Sequence, residues 1–230
     1  MKNEKMLERC LELALHLNDE DRALFDRCRS YPEIDIPGLP GLLSDLIRDL
    51  EADVASDTCK AAGRNNALSA AKRIFKVAMS TGKSGLCGAW EENGRQCLCD
   101  GYRGVRLVNH LPVDHIPEYA TPINLSNIVD GVIKNKGVEI ELPSIGELKA
   151  HIKVEKANKK IRKDRDPVVW DFGEDLMLLD AEYLLDMLEI LPGCKAYAAS
   201  KGAALSPVYF ESEAGDGVLL PRRRVSRKTA

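Results

Sequence analysis

The sequence predicts an α+β protein with a helical N-terminal appendage over residues 1–60. A larger domain of helices packed on antiparallel sheets follows over 61–225, and a short basic tail closes the chain at 226–230. Three features point there. Apolar residues recur at spacings of three and four through the first sixty positions. Short β-like runs then come in groups spaced as hairpins, with Asn93-Gly94 as the sharpest turn signal. The strands do not alternate one by one with helices, as parallel βαβ crossovers would require.

Taken in order, Met6, Leu7, Cys10, Leu11, Ala14 and Leu17 form one face of a first helix, with charged residues between them. Asn18, followed by Asp19-Glu20-Asp21, supplies an N-cap and an acidic first turn for a second helix through about Arg29. Pro32, Pro37 and Pro40 enforce an extended loop. Leu42, Leu43, Leu46, Ile47 and Leu50 then set a third helix over 41–55. The apolar stripes of this region carry no chemistry and mark surfaces that dock, on the rest of the chain or on a partner.

From Asn65 the pattern changes. Leu68, Ala71, Ile74, Phe75 and Ala78 predict a helix to Met79, and strands follow over 85–90, 95–99 and 103–109. A loop punctuated by Pro112, Pro117 and Pro122 leads to a strand over 138–142 and a long helix over 144–163. Strands are expected at 168–172 and 176–179, then a helix at 181–191 stopped by Pro192-Gly193. The last strands fall at 195–200, 206–211 and 218–220.

Composition narrows the function. With 33 Lys+Arg against 36 Asp+Glu the chain has a net charge of −3, so DNA contact requires a local basic face rather than a general coat. Aromatic residues, at 5%, are too sparse for a base-stacking platform. No apolar run approaches the ~20 residues of a membrane helix, and the charged N-terminus argues against a signal peptide. A cytoplasmic protein without membrane contact is expected.

The seven cysteines are irregularly spaced and read as reduced thiols. Cys97-x-Cys99 with Cys87, His110 or His115 is a zinc set on paper, but it lacks the Cys-x₂₋₄-Cys pair of structural sites. Two apart on a strand, Cys97 and Cys99 instead share one side of a sheet. Thr81-Gly-Lys-Ser84 has the end of a phosphate-binding loop, but Val77 stands where its first glycine must be, and Gly82 reads as a helix cap. His16, His110, His115 and His151 form no nucleophile–base spacing. The expectation is a non-enzymatic chain without metal or cofactor.

The long helix is more informative. Lys149, Lys153, Lys156, Lys160 and Lys163 step by four, three, four and three, which sets five ammonium groups along one stripe. Lys159, Arg162 and Arg165 broaden it. Such a stripe neutralises phosphates without reading bases. It is also what a solvated helix face looks like.

Several stretches resemble one family. Gln96-Cys-Leu-Cys-Asp-Gly-Tyr-Arg103 is similar to the strand and turn of bacterial DNA polymerase III β sliding clamps, where a strand runs into Asp-Gly-His-Arg. Met177-Leu-Leu-Asp-Ala-Glu-Tyr-Leu-Leu-Asp-Met-Leu188 resembles the clamp's strand into a Tyr-Leu-Leu-Asp helix. Ser206-Pro-Val-Tyr-Phe210, Val218-Leu-Leu-Pro-Arg-Arg223 and Ile116-Pro-Glu-Tyr119 resemble its late Ser-Pro strand, its terminal Met-Pro-Met-Arg and its Phe-Pro-Asp-Tyr loop. The order along the chain agrees, and the resemblance covers roughly Ala67 to Arg224. A clamp subunit has three domains, each of two helix-plus-strands halves; this chain has room for little more than one. The basic helix matches either the first helix of the last clamp domain or the second helix of the middle one.

The resemblance implies a sliding-clamp-like domain with a hydrophobic cleft that captures short peptides from polymerases and repair factors. Gly101, Tyr102 and Arg103 would form one wall, and Asp180 and Tyr183 another. Ser206, Val218, Leu220, Pro221 and Arg223 would close the pocket. Tyr102 replaces the usual histidine, Asp180 the usual asparagine and Arg222 the second methionine, while Gly104 stands where an apolar residue is usual. These changes narrow and polarise the pocket. Independently of the family, Leu, Val, Tyr and Pro with an arginine rim suit an extended apolar peptide. The expectation is a DNA-replication accessory of bacterial or phage type. It would bind DNA backbone through the lysine stripe and replication or repair proteins through short peptides. A ring would need a homo-oligomer. The alternative is a protein-interaction module of a mobile element that imitates a clamp surface without touching DNA, and a third possibility is a hydrolase or metal enzyme.

Overall fold

The computed structural model describes residues 2–31, 36–80, 87–116, 120–162, 166–173 and 176–224. Thr81-Gly-Lys-Ser84 with the expected cap at Gly82, the Pro117-Glu-Tyr119 loop, Lys163 and the basic tail lie outside the described residues. The chain divides into two compact units, 1–64 and 65–230.

The first unit is three helices: α1 (Lys2–Leu15), α2 (Asp19–Ser30) and α3 (Leu39–Ala61). Asn18 caps α2 as expected, its side chain accepting the Asp21 N–H at 2.9 Å. α3 is longer than its apolar stripe suggests. Pro40 fits its first turn, where no donor is needed, and Gly63 at φ +73° ends the excursion. Cys10, Ala14, Phe25, Leu43, Ile47 and Leu50 make this unit's core.

The second unit runs α4 (Asn65–Ser80), β1 (Gly88–Glu92), β2 (Arg95–Cys99), β3 (Arg103–Leu107), α5 (Leu125–Lys134), β4 (Lys136–Ile140) and α6 (Ile145–Arg162). It continues through β5 (Val169–Asp171), β6 (Leu178–Asp180), α7 (Ala181–Ile190), β7 (Lys195–Ala199), β8 (Val208–Ser212) and β9 (Gly215–Leu219). Seven strands form one sheet in the order β1-β2-β3-β9-β8-β7-β4, and β5 and β6 pair as a separate ribbon. Every pairing is antiparallel, so the α+β class stands. A helix followed by three strands occurs twice, as α4-β1-β2-β3 and as α7-β7-β8-β9. The third strands of the two halves pair through Val105 and Gly217, and α4 packs on α7. The six strands of the two halves therefore mirror one another in order about the β3/β9 pair, with β4 added at the edge beyond β7.

The strand pleat sorts side chains by parity. On β3, Arg103 reaches α7 through Asp186, while Gly104 and Arg106 face α5, through Leu125 and Asp130. The α5 side holds a core of Trp90, Cys97, Cys99, Leu125, Val129 and Val218. Gly104 is where α5 comes down. A Cβ there would lie 2.6 Å from Leu125 Cδ1.

α5 is the element that sequence reading misses, since 124–134 reads there as loop. The Asn124 side chain accepts the Asn127 N–H at 2.8 Å, and Leu125, Val129 and Val132 face the core. Gly131 and the β-branched residues hide that period. β9 begins at Gly215 rather than 218, because its glycines carry no strand signal yet are what let it approach β3. A Cβ on Gly217 would lie 2.6 Å from the Gly104 carbonyl oxygen and 2.8 Å from Val105 Cγ1. Gly217→Ala is therefore expected to lower the stability of this unit by about 2–3 kcal/mol through overpacking of a backbone that cannot give way. Denaturant titration checks it, and a change below about 0.5 kcal/mol, the scale of an inert surface substitution, would contradict the close approach.

Candidate functional site

The site starts from the turn between β2 and β3. Asp100 Oδ1 accepts the N–H groups of Tyr102 and Arg103 at 2.9 and 3.0 Å, which closes an Asx turn. Gly101 takes φ +87° inside it and donates its N–H to Cys99 Sγ at 3.3 Å. The turn projects Tyr102 outward, 46% exposed, and sends Arg103 inward, 2% exposed.

Arg103 is held from every side. Its Nε donates to Asp100 Oδ2 at 2.9 Å, its Nη1 donates to Asp186 Oδ2 on α7, and its guanidinium lies 4.1 Å from the centroid of the Tyr183 ring. Asp186 Oδ1 accepts Arg73 Nε of α4 at 2.7 Å, and Arg73 Nη2 donates to Glu189 Oε2 at 2.7 Å. Glu189 also pairs with Lys149 of α6 at 2.8 Å. One ladder of alternating charge thus ties the turn to three helices. Burial pushes the Asp186 carboxyl up, while Arg103 and Arg73 pull it back toward the ionised form. Burial also raises the Tyr183 phenol, with Asp100 adding to the shift, so the ring stays neutral.

The second wall is the start of α7. Asp180 Oδ1 caps the helix, accepting Glu182 and Tyr183 N–H at 3.0 and 3.2 Å. Its Oδ2 accepts Arg222 Nε at 3.2 Å and Nη2 at 2.8 Å. The third wall is the chain after β9. Leu220 N–H donates to the Tyr102 carbonyl at 2.8 Å and Arg222 N–H to the Leu178 carbonyl at 2.7 Å, so this segment bridges the large sheet to the β5/β6 ribbon. Arg224 Nη1 pins it further, donating to Asp171 Oδ2 at 2.8 Å. Lys159 of α6, with Asp166, Pro167 and Val169, completes the rim.

Together these enclose a cleft of about 800 Å³. Tyr102 and Tyr183 stand side by side in it, ring centroids 5.9 Å apart and tilted by 35°. Leu220 presents an apolar side chain that is 41% exposed.

Of the residues that sequence reading names for a cleft, Tyr102, Asp180, Tyr183, Leu220, Pro221 and Arg223 line this one. Arg103 lies beneath Tyr183 as its support, and Gly101 shapes the turn without lining the space. Val218 does not reach it. It is buried on the α5 side of the sheet, because strand parity turns it to the face of Gly104, its partner in register. Ser206 belongs to the β7–β8 loop, where its Oγ donates to the Lys201 carbonyl at 3.3 Å. Sequence reading does not bring Asp166, Pro167, Val169 and Leu178 to the site. The β5/β6 ribbon was legible as two strands, but no spacing links it to residues 220–224.

The lysine stripe lies on α6 as expected, with a correction. Lys149 pairs with Glu189 and Lys156 with Glu182, the latter at 2.6 Å, so two of its ammonium groups are engaged by α7. Lys153 and Lys160 are exposed. His151 is occupied otherwise, its Nε2 2.9 Å from the Val169 carbonyl and its ring edge-on to Trp170 at 5.0 Å. Cys97 and Cys99 are buried on one side of the sheet, and burial lifts the Cys97 thiol to about 12. Among the described residues no three His, Cys, Asp or Glu side chains converge as a metal site. No helix among them is long and apolar enough to cross a membrane.

Comparison with protein-family models, with curated proteins and with solved structures returns no match.

Two outcomes follow from the geometry. Arg103→Ala strands Asp100 in the interior and removes the platform under Tyr183, so a loss of about 3–5 kcal/mol in denaturant stability is expected. A loss below about 1 kcal/mol, the scale of a surface pair, would show that the ladder is not what holds the turn. Arg224 holds the Asp171 carboxyl below the usual aspartate range, with the Gly173 N–H contributing. A depressed folded value means stability that is present above the unfolded pKa and lost as pH falls through the folded one. The Asp171 carboxyl resonance should titrate below the ordinary aspartate value and move up toward it in Arg224→Ala, with the Gly173 N–H still in place; an unchanged midpoint would place the segment after β9 elsewhere.

Proposed function

We propose that this chain is a non-enzymatic protein-interaction domain of sliding-clamp type, an accessory of DNA replication that captures a short extended peptide in the Tyr102/Tyr183/Leu220 cleft. One observation carries the reading. The Asp-Gly-Tyr-Arg turn and the Leu-Pro-Arg segment are two of the stretches that resemble the clamp family, and they meet through the 2.8 Å bond from Leu220 N–H to the Tyr102 carbonyl. They form adjoining sides of a cleft whose size and lining suit a peptide. The repeated helix-plus-three-strands halves support the same resemblance, since a clamp domain is built of two such halves.

A second contact, sequence-independent binding of DNA phosphates along α6, is favoured by the placement of Lys153 and Lys160 in solvent on one helical stripe. Lys149 and Lys156 add less, because Glu189 and Glu182 already neutralise them. The two contacts separate experimentally in fluorescence anisotropy with two probes. One is a labelled peptide of two leucines and a phenylalanine with polar flanks, and the other is a labelled 20-base-pair duplex. Tyr102→Ala and Leu220→Asp are expected to weaken the peptide at least tenfold and leave the duplex unaffected. Lys153→Glu with Lys160→Glu should do the reverse, with the salt slope of duplex binding falling by about 2. Peptide binding indifferent to Tyr102 and Leu220, or no peptide binding, would sink the reading. Duplex binding unchanged by the lysine variants would remove the DNA contact alone.

A further inference from the structure

α6 has two faces, and packing accounts for only one of them. Leu148 and Ile152 form its buried side, and Lys149 and Lys156 reach the α7 carboxylates Glu189 and Glu182. Half a helical turn away, Ala150, Val154, Ala157 and Ile161 follow one another at spacings of four, three and four. That is the a/d spacing of a coiled-coil seam. All four are exposed, Val154 by 57% and Ile161 by 81%. A helix face that only meets water gains nothing from valine and isoleucine, which are also weaker helix formers than lysine.

The two edges of this row differ. Along one run Lys153 and Lys160, both exposed, each immediately before a large apolar residue and so at the g position of its heptad. Along the other lie His151 and Asn158, the first held against the Val169 carbonyl and Trp170, the second donating to Glu155. The acid nearest to this face, Glu147, precedes the row and is taken up by Ser144 in a capping box.

Four occupants suit cations beside an apolar row, and the row separates them. DNA phosphates neutralise Lys153 and Lys160 but use nothing of Val154 and Ile161, so the DNA contact proposed above occupies only part of this face. A second copy of α6 would set lysine against lysine across the seam. A bilayer surface asks for anchors such as Leu, Phe or Trp, whereas alternate positions here are alanine. A partner helix meets both features. The alanines let its backbone come close, Val154 and Ile161 fill its holes, and acidic residues along its edge pair with Lys153 and Lys160.

We infer that the outward face of α6 docks an amphipathic helix of a partner protein, one with an apolar seam at a/d spacing and Asp or Glu along its edge. The inference is independent of the Tyr102/Tyr183/Leu220 cleft.

The test uses the full chain and amidated, fluorescein-labelled peptides of three heptads. One repeats Glu-Ile-Ala-Ala-Leu-Glu-Ala, a second has serine in place of isoleucine and leucine, and a third has lysine in place of glutamate. The first is expected to bind at least tenfold tighter than the other two. Val154→Ser with Ile161→Ser, both at exposed positions, should weaken it at least tenfold and leave binding of the 20-base-pair duplex unchanged. Lys153→Glu with Lys160→Glu should weaken it as strongly, and Tyr102→Ala should have no effect. Equal binding of the serine peptide would overturn the inference and make α6 a surface for any polyanion. Binding that survives the double serine variant, or that Tyr102→Ala removes, would place the peptide elsewhere and overturn it too. Without peptide binding the inference falls. Retention on vesicles of equal phosphatidylserine and phosphatidylcholine that the serine variant loses would then assign the face to a lipid surface, and dimerisation that it loses would assign it to a second copy. None of these results bears on the cleft, which is read by its own peptide.

Discussion

The buried guanidinium of Arg103 is the constraint on which the second unit depends. An arginine removed from water in this way is tolerable only if its charge is compensated, and here Asp100, from its own turn, accepts from Nε and Asp186, from α7, accepts from Nη1. The same group supports the face of Tyr183. Because Asp186 also engages Arg73, and Arg73 engages Glu189, a local turn becomes coupled to α4, α7 and α6. The cleft inherits its rigidity from this ladder. Tyr102 points outward because the residue after it must point inward, and Tyr183 is fixed because its lower face is occupied.

A second constraint is the close approach of β3 and β9. Two glycines, Gly104 and Gly217, sit at neighbouring positions of this pairing and remove side chains on opposite faces. One lets α5 descend onto the sheet, and the other lets the strands meet under Met187 of α7. The chain after β9 leaves this junction directly, so the geometry that joins the two halves also delivers Leu220, Pro221 and Arg222 to the cleft.

Much of this was legible in the sequence, and the rest was hidden for physical reasons. The helices with an undisturbed apolar period, α1, α2, α4 and α7, are where the spacing puts them. The Asn93-Gly94 hairpin is formed, with Asn93 at φ +53° and Gly94 at φ +72°. α5 was obscured because Gly131 and four β-branched residues, Ile128, Val129, Val132 and Ile133, weaken its helical signature, while its stability comes from Leu125 and Val129 packing on the sheet. Val218 was misplaced because parity on a strand is set by pairing register, which the sequence does not state. The engagement of Lys149 and Lys156 was invisible for a similar reason. A stripe can be read from one helix, but its counter-charges Glu182 and Glu189 lie on another.

The most direct test of the account is an NMR titration of the full chain with a peptide of two leucines and a phenylalanine with polar flanks, following the ring resonances of Tyr102 and Tyr183 and the methyls of Leu220 and Val218. The account predicts that Tyr102, Tyr183 and Leu220 shift together and saturate at one stoichiometry, while Val218 on the opposite face of the sheet stays still. Saturable shifts that spare the two tyrosines, or that centre on Val218 and the α5 side, would contradict it.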